Sequence, residues 1–173
     1  LLSERGGIPV RGADYKVSSG LANPGFFNWP AYLASEMVTY DPEIVVFMVG
    51  ANDAGYIGSY ESYSARVGAV MDVLEVWRVY WVVQPTFDPA LRPDLYRNVQ
   101  VVNEIFQAQA SVRPWVTFVD TWSLTSDAAG AFTYYAEDED GVTQLTRAGD
   151  GVHFTPAGGR LLARAVLRAI TGE

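Results

Sequence analysis

Apolar and polar positions along the chain alternate between two periods. From Trp29, the residues Trp29, Leu33, Met37 and Val38 fall near helical spacing, with Pro30 suited to a first turn and Asp41-Pro42 closing the segment, because a residue before proline avoids the helical region. A helix is predicted from about Asn28 to Thr39. Glu43 to Val49 then forms a continuous β-branched and apolar run ending in Gly50, the pattern of a parallel strand covered on both faces. The grammar repeats with a helix from about Tyr60 to Val76, a strand from Val79 to Val83, a helix from about Pro93 to Ala110 and a strand from Val116 to Val119. Pro156 opens a last helix to about Ile170, with Leu161, Leu162, Ala165, Val166 and Ile170 on one face. Strands alternating with helices define an α/β fold around a parallel sheet.

Three stretches fall outside this alternation. Leu1 to Arg5, followed by Gly6-Gly7, reads as the last turn of a helix stopped by glycine. Ile8 to Val17 has room for one strand, and Ser18-Ser19-Gly20-Leu21 with Asn23-Pro24-Gly25 forms a small-residue loop. Phe132 to Tyr135 and Val142 to Leu145 flank the acidic turn Glu137-Asp138-Glu139-Asp140-Gly141, the pattern of a hairpin or flap over one end of the sheet. There is no repeat and no linker, so residues 1–173 read as one domain.

Charge and composition narrow the chemistry. Twelve lysines and arginines against 20 aspartates and glutamates leave a net charge of −8, which argues against nucleic acid or an anionic membrane surface as partner. No apolar run approaches a membrane span. The chain has no cysteine and one histidine, His153, which excludes disulfides, cysteine nucleophiles and any metal site needing two histidines. Reactive groups are therefore hydroxyls, carboxylates and one imidazole.

In open parallel sheets, ligands gather at the carboxyl ends of strands. Asp150-Gly151-Val152-His153 places a carboxylate three residues before the sole histidine. A loop of that length can turn Asp150 onto Nδ1, leaving Nε2 as general base. The plainer alternative is a turn-capping aspartate and an ordinary, partly buried histidine. Gly50-Ala51-Asn52-Asp53 reads either as a strand-to-helix turn or as a loop whose Asn52 amide donates to a developing oxyanion. Gly20 is either a turn glycine or an exposed N–H for the same charge.

The order and spacing of these three loops resemble the SGNH, or GDSL-like, hydrolase family. Ser19-Gly20-Leu21 with Phe27-Asn28-Trp29-Pro30, and Asp150-Gly151-Val152-His153-Phe154-Thr155-Pro156-Ala157-Gly158, are similar to a bacterial branch linked to extracytoplasmic or cell-envelope proteins. The resemblance implies a flavodoxin-like three-layer sandwich. It assigns Gly20 and Asn52 to the oxyanion hole, His153 as general base and Asp150 as its orienting carboxylate; Asp53 is expected to be structural. It implies a serine esterase without cofactor or metal, acting on small acyl or acetyl esters, with acetylated glycan as a plausible substrate, or transferring the acyl group as an O-acyltransferase. Tyr56, Tyr60, Trp29, Trp122 and Tyr134 offer candidate stacking faces for a sugar or belong to the core.

The family's nucleophile is the serine of a Gly-Asp-Ser block, and no such block occurs here. Ser3, Ser18 and Ser19 read as loop or helix-end residues. In the strand order 2-1-3-4-5 the first strand lies inside the sheet, where its loss would leave backbone groups unpaired. An upstream strand, loop and helix carrying the serine is therefore expected ahead of Leu1. Two alternatives remain: a non-catalytic module of the same fold that binds glycan or protein, and metal-assisted hydrolysis by Asp150, His153 and the acids of Glu137 to Asp140.

Overall fold

The computed structural model describes residues 3, 6–76 and 78–172. Its elements run α1 (Trp29–Tyr40), β1 (Ile44–Phe47), α2 (Tyr60–Val73), β2 (Arg78–Val82), α3 (Pro93–Ala110), β3 (Val116–Val119), β4 (Tyr135–Glu137), β5 (Thr143–Leu145) and α4 (Pro156–Thr171). Local chemistry explains most boundaries. The Asn28 side chain accepts from Ala31 N–H at the start of α1, which ends where Asp41 takes a left-handed conformation. Ser59 and Thr155 cap α2 and α4 in the same way, each satisfying an otherwise orphaned N–H.

β1, β2 and β3 form a parallel sheet in that order, with Phe47 opposite Trp81 and Val82 opposite Val119. The alternation of side chains along β2 separates two cores. Val79 and Trp81 face Trp29 and Leu33 of α1, Tyr63, Val67 and Met71 of α2, and Ile105 and Phe106 of α3. Tyr80 and Val82 face Val166, Leu162 and Ala165 of α4. The architecture is thus a helix–sheet–helix sandwich of flavodoxin-like type, and burial on both faces explains why the strands read as unbroken apolar runs. Among the described residues, no helix is long and apolar enough to cross a membrane.

The structure corrects several expectations. Ile8 to Val17 is not a strand; it runs without ladder partners, and residues 9–18 are exposed. An extended segment becomes a strand only when a neighbour takes up its backbone groups, and none of the described residues does so here. The hairpin also starts later than expected: β4 begins at Tyr135 because Phe132 pairs with Ser126 in an isolated bridge. α2 stops at Val73, where Leu74 N–H is shared between Val70 and Asp72 carbonyls and the chain turns toward β2. Leu161 leaves the expected α4 stripe and lines a small cavity with Ala136, Gln144 and Thr146. Of the helix end expected over Leu1 to Arg5, only Ser3 falls among the described residues; it lies exposed in a turn.

Candidate active site

Three loops meet at the carboxyl end of the sheet. The first, Ser19 to Ala22, is held by a carboxylate from the second. Asp53 is buried and accepts from Leu21 N–H at 2.8 Å, Ala22 N–H at 2.9 Å and the Tyr63 hydroxyl at 2.8 Å. Burial pushes the Asp53 carboxyl up from its ordinary value, against the pull of these three donors, and the same burial raises the Tyr63 hydroxyl. Asp53 is thus a loop clamp, as its expected structural role requires. Gly20 sits so close to it that a Cβ would lie 2.0 Å from Asp53 Oδ1.

Asn52 Nδ2 donates to the Ser19 carbonyl at 2.9 Å, which brings Asn52 beside Gly20. A side-chain amide carries two N–H bonds, so one remains for a ligand. The Gly20 N–H has no acceptor among the described residues. The Ser19 hydroxyl is engaged twice, donating to Lys16 O at 2.7 Å and accepting from Trp29 Nε1 at 3.1 Å. That engagement fits a loop residue rather than a nucleophile, and Ser18, at φ 59°, likewise serves the turn.

The third loop carries the titratable pair. Thr146 to Ala148 and His153 to Thr155 run antiparallel, with Ala148 N–H on His153 O at 2.8 Å and Thr155 N–H on Thr146 O at 3.0 Å. Asp150 lies in the turn between them. Its Oδ2 meets His153 Nδ1 at 2.6 Å, while Oδ1 accepts from Val152 N–H at 2.8 Å and His153 N–H at 2.9 Å. The His153 contact, followed by the two backbone donors, holds the Asp150 carboxyl well below its ordinary 3.8. The His153 side chain is 78% exposed, and its Nε2 has no partner among the described residues.

A depressed carboxyl contributes stability that is present above its unfolded value and lost as pH falls through its folded value. Asp150→Asn removes that contribution. The difference in urea midpoint between the wild type and Asp150→Asn is therefore expected to narrow progressively as pH falls below about 4. A pH-independent difference from pH 7 to 2 would contradict an ionised Asp150 bound to His153.

The two halves of the site share one apolar cluster. Ala51 and Ala54 from the Asn52 loop, Phe87 from the loop after β2, and Val152 from the turn pack together with Val99, Leu95 and Trp122. Gly20, Asn52, Asp150 and His153 are thereby gathered at one end of the sheet. Of the aromatic residues considered as stacking faces, Trp29 is buried in the core, while Tyr56 and Tyr60 are exposed. Trp122 lines an open cleft of about 410 Å³ with Gln100, Asn103, Glu104 and Asp120. Tyr134 donates its hydroxyl to Asp88 Oδ2 at 2.6 Å. Among the described residues no cluster of three or more His, Asp or Glu side chains is positioned to hold a metal ion.

Sequence reasoning missed Asp88 and Arg147, and it considered Tyr134 only as a stacking face or core residue, not as a donor to Asp88. Asp88 N–H donates to Gly151 O at 3.0 Å, so the loop after β2 is pinned to the turn carrying Asp150. Its position just past the carboxyl end of a strand was the available signal. Arg147 was signalled only by its place three residues before Asp150, and its burial depends on Phe132 from another part of the chain.

A parallel sheet between helices, with these loops at its carboxyl end, gives the chain the flavodoxin-like fold that SGNH-type hydrolases share. The chain belongs to the family described as "Protein of unknown function (DUF459)", whose model matches residues 2–169. Solved structures share the fold. A lipase/acylhydrolase from Enterococcus faecalis is 18% identical over 90% of this chain and 72% of its own, with a TM-score of 0.68. A catalytic mutant of an acetylxylan esterase from Geobacillus stearothermophilus is 19% identical over 88% and 68%, at 0.64. A Clostridium thermocellum family 3 carbohydrate esterase is 16% identical over 95% and 75%, at 0.59. No curated protein matches the sequence.

Proposed function

We propose that this protein is a serine esterase of SGNH type that cleaves small acyl esters, acetylated carbohydrate foremost. The observation that carries this reading is the 2.6 Å contact of Asp150 Oδ2 with His153 Nδ1, with Nε2 left free. A carboxylate on Nδ1–H fixes the tautomer and stabilises the imidazolium that forms when Nε2 takes a proton. In the reaction, Nε2 accepts the serine proton as Oγ attacks the ester carbonyl. The tetrahedral oxyanion is held by Gly20 N–H and the free Asn52 Nδ2 N–H. Collapse expels the alcohol, protonated by His153, and water or a sugar hydroxyl then accepts the acyl group by the reverse sequence.

The serine comes, in this reading, from a strand preceding Leu1 in the polypeptide. The outer edge of β1 supports it: β1 pairs only with β2 among the described residues, and Val46 on it is 40% exposed. A parallel strand added there would end beside the Asn52 loop. The esterases among the solved structures of this fold support an acetyl ester as substrate, and the cleft of Trp122 and amide side chains suits a sugar. The family resemblance supports an extracytoplasmic site of action.

The test is the intact mass of the native-length protein before and after treatment with a fluorophosphonate, alongside acetate release from acetylated xylan with and without an acceptor glycan. One adduct, on a serine preceding Leu1 and absent from His153→Ala, is expected. No adduct and no acetate release would overturn the reading in favour of a binding module of the same fold. Asn52→Ala is expected to lower kcat roughly 10²- to 10³-fold with little change in KM, the usual cost of one oxyanion donor. Steady-state kinetics on a p-nitrophenyl acetate series checks it, and an unchanged kcat would remove Asn52 from that role.

A further inference from the structure

The side chain of Arg147 is fully buried, yet it takes no direct part in the chemistry above. Its Nη2 donates to the Val152 carbonyl at 2.7 Å, and its guanidinium carbon lies over the rings of Phe132, at 5.4 Å, and Phe154, at 4.7 Å. Nε and Nη1 have no partner among the described residues. Burial lowers Arg147 to about 10, and the titratable groups near it are the Asp150 carboxylate and the neutral Tyr134 phenol, with Asp88 bound behind Tyr134. A buried cation with one hydrogen bond and two unmet donors is a poor stabilising device, because desolvation outweighs what the contacts return. Its place explains what it does instead. Gly151 and Val152 separate Asp150 from His153, and the Val152 carbonyl is the atom Arg147 grips.

We propose that Arg147 is a positioning residue for the Asp150–His153 pair, its guanidinium holding the Val152 carbonyl and so fixing the turn on which both partners sit. The turn is gripped at two successive carbonyls. Asp88 N–H takes Gly151 O and Arg147 takes Val152 O. Gly151 permits this close approach: it has φ +72°, and a Cβ there would lie 2.4 Å from Asp88 Cβ. The contacts with Phe132 and Phe154 hold the planar guanidinium against two aromatic rings, which an ammonium on a flexible stem does not reproduce. Arg147 also sets a positive charge near the Asp150 carboxylate. This role rests on the esterase reading for its consequence in catalysis, but the geometry it fixes belongs to the described residues alone.

The presence of a single histidine makes the test direct. In proton and nitrogen NMR of the native-length protein, the hydrogen-bonded Nδ1–H of His153 gives one downfield signal. Arg147→Met, of similar reach and apolar, is expected to fold, with unchanged far-UV circular dichroism, but to broaden or lose that signal and to lower kcat 10- to 100-fold at unchanged KM. Arg147→Lys is expected to retain the signal with faster solvent exchange. Wild-type signal and kcat in folded Arg147→Met would overturn the proposal. Where that variant does not fold, wild-type exchange of the signal in Arg147→Lys would overturn it equally. A signal that depends on Arg147 in a protein without hydrolysis would sink the esterase reading and leave the positioning role standing.

Discussion

Replacing His153 by alanine is expected to lower the rate of acyl-ester hydrolysis by the native-length protein about 10⁴- to 10⁶-fold, the lower bound being the cost of a wrong tautomer and the upper that of losing a triad's base outright. No other imidazole exists in the chain to take over, and the nearest carboxylate, Asp150, is held ionised by His153 and two backbone donors and is too weak a base for a serine hydroxyl. The fold should register the change only slightly. The side chain is 78% exposed, and the His153 backbone contacts to Ala148 and Asp150 do not involve the ring, so only the solvent-screened ring contact with Asp150 is lost and unfolding free energy should fall by no more than about 1 kcal/mol. Steady-state kinetics with p-nitrophenyl acetate, run beside urea unfolding, checks both halves. A rate within tenfold of wild type would remove His153 as the base.

The second large effect is expected at Gly20, for a different reason. An alanine Cβ there would sit 2.0 Å from Asp53 Oδ1 and 2.6 Å from its Cγ, and Asp53 cannot move aside. Its carboxylate is bound by Leu21 N–H, Ala22 N–H and Tyr63 hydroxyl, and Tyr63 is itself fully buried. The loop must shift, stripping a buried carboxylate of donors. Gly20→Ala is therefore expected to destabilise the fold by about 3 kcal/mol, through overpacking and a partly unpaired charge, and to lower hydrolysis at least 100-fold by displacing the Gly20 N–H. Gly25→Ala, in the same loop, meets only Asn23 Oδ1 at 3.5 Å and serves as the control expected to change neither. Urea midpoints and rates for the pair decide the matter; equal stability of Gly20→Ala and the wild type would refute the clamp.

The two variants separate the site into a reacting edge and a supporting frame. His153 lies at the surface and can be removed at little structural cost. Gly20 lies against a buried carboxylate whose other partner, Tyr63, belongs to the core of α2. Arg147 belongs to the frame as well, on the other side of the site.

What was legible in the sequence was local. α3 and β3 start and stop where proline and the apolar pattern place them, and α1 runs to within one residue of the expected Asn28 to Thr39, ahead of its Asp41-Pro42 stop. The Asp150–His153 contact spans three residues in one turn, so spacing alone suffices to suggest it. Spacing cannot say that Asp53 reaches back 32 residues to Leu21, or that Phe132 closes over Arg147. Nor can a strand-like pattern in Ile8 to Val17 supply the neighbour that would make it a strand. By itself the sequence determined the helices and strands of the sheet core and the chemistry of each loop, because proline geometry and side-chain period act within a few residues. The tertiary structure alone decided which loops meet, which charges are buried and which glycine has no room for a methyl, because burial is a property of what packs on a residue rather than of the residue.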